Sequence, residues 1–132
     1  MKKIILIISL AIGPFSYGHQ TEKVSTIDFV QIVNNHVDEA LFFYQNNWKV
    51  LRAIAVERGY IESYQILENK SKEGEPFDLM LITTYPNNIQ FDERETNFQE
   101  IINEQSGLKL MNDKKPDEFR KTVYRKIMTE NH

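Results

Sequence analysis

The stretch NHVDEALFFYQNNWKVLRAIAVERGYIESYQIL, residues 35–67, followed beyond a polar loop by FDLMLITTY, residues 77–85, decides the fold. In its first part Val37, Ala40, Leu41, Tyr44, Trp48, Leu51 and Ala55 recur at helical spacing, and Phe43, Val50 and Ile54 widen the face they make. At roughly 100° per residue, the apolar face covers about half of the helix circumference. Asn35 is placed to cap this helix, and Asp38 and Glu39 suit the positive end of its dipole. Arg58-Gly59 stops it, because Arg favours the negative end and Gly enters the left-handed conformation without a Cβ clash. A face this wide lies across a sheet.

Two strands supply that sheet. Tyr60 to Leu67 reads as one and Phe77 to Tyr85 as the next, with Asn69, Ser71, Gly74 and Pro76 making a hairpin loop between them. In the second strand Phe77, Leu79 and Leu81 are expected on one side, with Met80 and Ile82 on the other. Both faces are therefore apolar. Helices cover one of them, and the simplest cover for the other is a second copy of the chain.

Working outward, β-branched and aromatic residues predict a strand over Ile27 to Val33. Pro86-Asn87-Asn88 breaks the central strand and caps a second helix running to about Glu104, with Phe91, Phe98, Ile101 and Ile102 as its apolar positions. Ser106-Gly107 ends that helix, and a lysine-rich loop containing Pro116 leads to Phe119–Met128, read as a last strand with a terminal helix as the competing assignment. The order β-α-β-β-α-β is the ferredoxin-like split βαβ pattern, a four-stranded antiparallel sheet with two helices on one face.

On Arg58-Gly59-Tyr60-Ile61, Ser63-Tyr64, Leu67, Phe77-Asp78-Leu79, Thr83-Thr84-Tyr85-Pro86 and Phe91, the chain resembles the dimeric α+β barrel superfamily. That resemblance implies two sheets closing into a barrel in a homodimer, with any ligand held between each sheet and its own helices. Members include haem-degrading and antibiotic monooxygenases and small lyases. The haem-degrading branch uses a strand tryptophan with an asparagine and a histidine, whereas here Trp48 is on the first helix and no matching histidine precedes His132.

The start of the chain has the form of a secretory signal peptide over residues 1–18: Lys2 and Lys3, an apolar run from Ile4 to Ile12, and Ser16-Tyr17-Gly18 at the cleavage site. That run is shorter than the roughly 20 apolar residues of a membrane span. With no cysteine for a lipid anchor or a disulfide, the expectation is a periplasmic or secreted protein held together by its core. The remainder divides into a loose leader at 19–26, one domain at 27–128 and a tail at 129–132. Without Lys2 and Lys3, 14 basic residues face 19 acidic ones, a net charge of −5 that disfavours nucleic acid and anionic lipid as partners. Arg120, Lys121, Arg125 and Lys126 form a basic strip, read as a solvated strand face.

Chemistry-bearing residues are few. His36, at the strand-to-helix junction, is the candidate acid, base or ligand, since its ordinary pKa lies near neutrality; a first-turn histidine bonded to backbone or solvent is the plainer reading. Tyr44, Trp48, Arg52, Tyr64 and Tyr85 are the candidate lining of a pocket between the first helix and the sheet, with Tyr44 and Trp48 equally suited to a core. Asp78 reads as a strand-end residue, and Asp92, Glu93 and Glu95 as a solvated helix face. A mature His19 terminus would chelate copper only with a second histidine well placed. No His/Cys cluster supports zinc and no glycine-rich loop supports a nucleotide, so neither metal nor cofactor is expected. Asn69-Lys70-Ser71 is a glycosylation sequon relevant only to a eukaryotic secretory route.

These residues lead to an exported α+β barrel homodimer that binds a small, partly apolar molecule or serves as a structural module. The alternative is a cofactor-free monooxygenase or isomerase using His36, an analogy of fold alone.

Overall fold

The computed structural model describes residues 22–71 and 73–132, so the segment expected to be a signal peptide and His19 lie outside the described residues. The elements in chain order are β1 (Val24–Ile32), α1 (Val37–Phe43), a π-helical turn (Tyr44–Trp48), α2 (Lys49–Glu57), β2 (Ser63–Glu68), β3 (Leu79–Tyr85), α3 (Asn88–Asp92), α4 (Arg94–Asn103), α5 (Pro116–Phe119) and β4 (Arg120–Thr129). The sheet order is β2-β3-β1-β4 with every neighbouring pair antiparallel. This is the ferredoxin-like α+β fold: β1 and β2 run parallel on either side of β3, each followed by the hairpin or helix that the split pattern requires.

Register sorts the side chains into two faces. Val24, Thr26, Asp28 and Val30 of β1 stand beside Tyr85, Thr83, Leu81 and Leu79 of β3, and these look toward the helices. On the other face Leu67, Met80, Phe29 and Tyr124 form one row across all four strands. Next comes Gln65, Ile82, Ile27 and Lys126, and then Ser63, Thr84, Ser25 and Met128, where the Ser25 and Thr84 hydroxyls meet at 2.8 Å. No element of the described residues covers this face. Leu67, Tyr124 and Met128 are 40%, 49% and 51% exposed.

On the helical side the core falls into two clusters. Phe43, Tyr44, Trp48 and Phe119 pack with Val30, Leu79 and Leu81, while Ala55, Ile61, Tyr85 and Ile101 form the second, with Leu51, Phe91 and Phe98 against it.

The first helix departs from a plain α-helix in its middle. Buried or inward residues recur at Ala40, Tyr44, Trp48 and Arg52, and a strict four-residue interval drifts by about 40° per step in an α-helix of 3.6 residues per turn. The π turn, bonded i to i+5, takes up that drift and keeps the series over the sheet. Val37 and Val50 face outward, 46% and 39% exposed, where the sequence pattern expected core positions.

Other boundaries differ for local reasons. β1 begins at Val24, inside the segment read as a loose leader, because Val24 pairs with both Tyr85 and Thr129. Asn35 does not cap: Asn34 and Asn35 both adopt positive φ (56° and 58°) in a tight turn, and His36 takes the cap position. Tyr60 stays in the helix-to-strand turn, its hydroxyl donating to Glu100 at 2.6 Å, so β2 starts at Ser63. Phe77 precedes β3 and stacks edge-on with Phe29 at 4.9 Å on the helix-free face, opposite to Leu79 and Leu81. The second helix kinks at Glu93, where the φ of −86° and ψ of 3° interrupt it between α3 and α4. Asn87 caps α3 as the sequence predicted, its Oδ1 accepting the Gln90 N–H at 2.8 Å. The last segment is a strand, with the four-residue α5 before it.

Candidate functional site

Between α2, α4 and the β1–β4 side of the sheet lies an open cavity of about 290 Å³. It exists because α4 packs against α2 while β4 continues past it, leaving Ile127 57% exposed on the helical side. Leu51, Phe98, Ile102 and Ile127 give it apolar walls; Thr26, Asp28, Arg52, Tyr85, Arg94, Glu95 and Arg125 supply its polar groups.

Arg52 forms the floor. Its guanidinium carbon lies 4.1 Å from the Trp48 ring centroid and 4.6 Å from that of Phe98, so the cation is in π contact with two aromatic rings. Nε donates to the buried Thr83 hydroxyl at 3.2 Å, which fixes the plane of the fork. Among the described residues no carboxylate forms an ion pair with Arg52, and it lines the cavity although the group is packed at interior density. Burial pushes its pKa down to about 10, with Tyr85 and Asp28 acting in the opposite sense, and it remains charged at neutral pH.

The other two arginines are already engaged. Arg125 sits opposite Asp28 in the β1–β4 register and donates to it through Nε (2.6 Å) and one Nη (3.1 Å), the fork geometry that favours arginine over lysine. That contact, above all its hydrogen bonds, raises the Arg125 pKa. Arg94 stacks on Phe91 at 4.1 Å and donates to the Phe91 carbonyl at 2.8 Å. Tyr85 closes the inner end; burial raises its pKa, partly offset by Arg52 and by a hydrogen bond to Thr26.

The predicted pocket residues are partly gathered here. Arg52 and Tyr85 line the cavity, and Trp48 lies beneath Arg52 with Tyr64 edge-on to it at 5.9 Å. Tyr44 is elsewhere, in the first core cluster, edge-on to Phe43 at 5.2 Å; burial pushes its pKa up to about 12. His36 stands at the opposite end of the helix, with Nδ1 3.7 Å from Glu39 Oε1, and the 16 residues to Arg52 span roughly 24 Å at about 1.5 Å each. Asp78 accepts the Ile32 N–H at 2.7 Å, a strand-end role.

Thr26, Asp28, Thr83, Arg94, Phe98 and Arg125 were not singled out as lining. One signal was present: Thr26, Asp28 and Thr83 are polar at positions where the strand alternation puts residues under the helices. The basic strip divides between faces, Arg125 turning to Asp28 and Lys126 to the helix-free side.

A second groove of about 190 Å³ runs along the outer side of Leu51 and Ile102, bounded by residues 105–109. Asn47, presented by the π turn and buried, holds this edge: its Nδ2 donates to the Lys109 carbonyl at 2.7 Å and its Oδ1 accepts the Lys109 N–H at 2.8 Å. Among the described residues no cluster of three or more His, Cys, Asp or Glu is placed to hold a metal, and no helix is long and apolar enough to cross a membrane.

No protein-family model matches the chain, and the curated proteins give no match. Among solved structures it is similar to a dimeric protein of unknown function and ferredoxin-like fold from Bacteroides fragilis NCTC 9343, with 13% identity, 86% of this chain and 98% of that chain covered, and a TM-score of 0.47.

Proposed function

We propose that this chain is an exported ligand-binding domain that holds a small, partly apolar molecule in the cavity over Arg52 and pairs with a second copy through the helix-free face of its sheet. The observation that carries the ligand reading is the Arg52 guanidinium, packed on Trp48 and Phe98 and without an ion-pair partner among the described residues, in the lining of an open, apolar-walled cavity. A rigid polar group among apolar walls is the usual make-up of a small-molecule site.

Pairing is supported by the row Leu67, Met80, Phe29 and Tyr124, which leaves a contiguous apolar strip in water on a single chain. The cavity lies on the other side of the sheet, so pairing and binding do not compete for surface. Export rests on the residues of the signal sequence, and N-terminal sequencing of the natural product should begin at His19. The enzyme reading took His36 as its base, and His36 stands beside Glu39 at the far end of the helix from the cavity.

Native mass spectra of the protein taken from its natural export route test both parts. A dimer carrying extra mass is the expected result. A bare dimer removes support for the ligand, and a monomer at micromolar concentration overturns the pairing, which requires at least about 1,000 Å² of buried surface to persist.

A further inference from the structure

The charges around the cavity do not balance. Arg52, Arg94 and Arg125 carry three positive charges, and Asp28 and Glu95 carry two negative ones. Asp28 is spent on Arg125 through two hydrogen bonds, while Glu95 is exposed. Arg52 and Arg94 are thus both without a carboxylate at ion-pair distance among the described residues; Arg94 has one Nη on the Phe91 carbonyl, whereas Arg52 is hydrogen-bonded through Nε alone, which leaves its terminal nitrogens as the cation's unused donors.

Its geometry selects the anion. With Nε held by Thr83 and the Trp48 and Phe98 rings packed against the guanidinium, the donors left for a new partner are its two terminal nitrogens, on a residue that lines the cavity. Two parallel N–H donors in one plane match the two oxygens of a carboxylate. In the same lining Leu51, Ile102 and Ile127 offer apolar wall, and about 290 Å³ has room for roughly ten water-sized groups.

On the reading that this cavity is a ligand site, we infer that its ligand is a small monocarboxylate with an alkyl or aryl body, the carboxylate clasped by the terminal nitrogens of Arg52 and the body lying on Phe98, Ile102 and Ile127. One negative charge brings the cavity to neutrality. A second would stand near Asp28 or Glu95, so dicarboxylates are disfavoured.

The test is a calorimetric titration of the full mature chain with n-alkanoates from acetate to decanoate and with phenylacetate, each beside its primary amide. The Arg52 Nε–H resonance is followed in parallel. At least one acid should bind about thirtyfold or more above its amide, as expected for a charge-assisted bidentate contact, and should shift the Arg52 resonance. Arg52→Lys should weaken that acid about tenfold by losing the fork. Arg52→Met, which keeps the apolar stem, should bind acid and amide alike. Equal binding of acids and amides to the natural protein overturns the carboxylate assignment while the pocket stands. Binding that leaves the Arg52 resonance unmoved overturns the assignment as well. If neither series binds, pocket and carboxylate fall together. The acid-to-amide ratio of the natural protein decides the matter even if both variants fail to fold.

Discussion

Arg52 stacks on Trp48 one turn earlier in the same helix, its guanidinium carbon 4.1 Å from the ring centroid, and the Phe98 ring packs against it as well. The cation is thus anchored by π faces and a hydroxyl, with no carboxylate, which keeps it available while depriving it of a compensating charge.

That arrangement separates two substitutions. Arg52→Met keeps the packing stem and removes a buried charge, so urea unfolding should show a stability unchanged or raised by about 1 kcal/mol. Arg52→Ala removes the stem as well and should cost about 2 kcal/mol through two lost stacking contacts. Equal losses in the two variants would mean that the charge itself stabilises the fold.

The buried Tyr44 gives an alkaline signature. Its pKa in the folded chain is about 12 against 10 in the unfolded one, so its contribution is intact below pH 10 and lost as pH rises toward 12. At pH 11 the linkage amounts to about 1.4 kcal/mol. Tyr44→Phe, compared with the natural protein by urea unfolding at pH 9 and 11, should therefore lose about that much less. Comparing the two proteins cancels the opposite contribution of Arg52, whose lowered pKa makes folding relatively more favourable above pH 10.

Asn47 joins the π turn to Lys109 by a reciprocal pair of hydrogen bonds in a buried setting. Asn47→Ala should cost about 2–3 kcal/mol, since the partner backbone groups lose their bonds without regaining full hydration. Hydrogen exchange at the Lys109 amide should accelerate in step. An unchanged exchange rate there would show that the loop is held by something else.

Leu67 and Tyr124 end the apolar row on the helix-free face and are already well exposed in a single chain. Leu67→Lys together with Tyr124→Glu should leave the circular dichroism spectrum unchanged and weaken self-association about a hundredfold or more by sedimentation equilibrium. Retained dimerisation would place the interface on another surface.

Asp28→Asn releases Arg125 and adds a net positive charge to the cavity. Binding of the preferred monocarboxylate should tighten severalfold, and the preference over dicarboxylates should shrink.

The fold was legible because its signals are local. Arg58-Gly59 ends a helix, with Gly59 at a φ of 73°, and Asn87 starts one; each depends only on neighbours in the chain. Arg52 and Tyr85 were legible as candidates because they border or continue an apolar face. Phe98 and Arg125 were not, because what makes them lining is a distance across the fold: Phe98 meets an arginine on another helix, and Arg125 meets an aspartate on another strand. Tyr44 took the core role that the sequence also allowed it. The helical wheel puts it with Trp48, and the two do share the first core cluster, but Tyr44 packs edge-on to Phe43 one turn before the cavity begins, while Trp48 reaches the cavity through Arg52.

The π turn gives the site an unusual dependence on counting. The i to i+5 turn holds one residue more than the α-helical turn it replaces, so forcing Tyr44–Trp48 into the i to i+4 ladder at unchanged length would rotate everything after it by about 100° against the residues before it. Lys49 to Glu57 would keep their helical propensity and composition, yet the face now carrying Arg52 would swing away from Thr83 and Phe98. The cavity is thus written in the phase of the helix as much as in its side chains, and losing one residue inside the turn, which restores ladder and phase together, would spare it where the same loss inside α2 ahead of Arg52 would not.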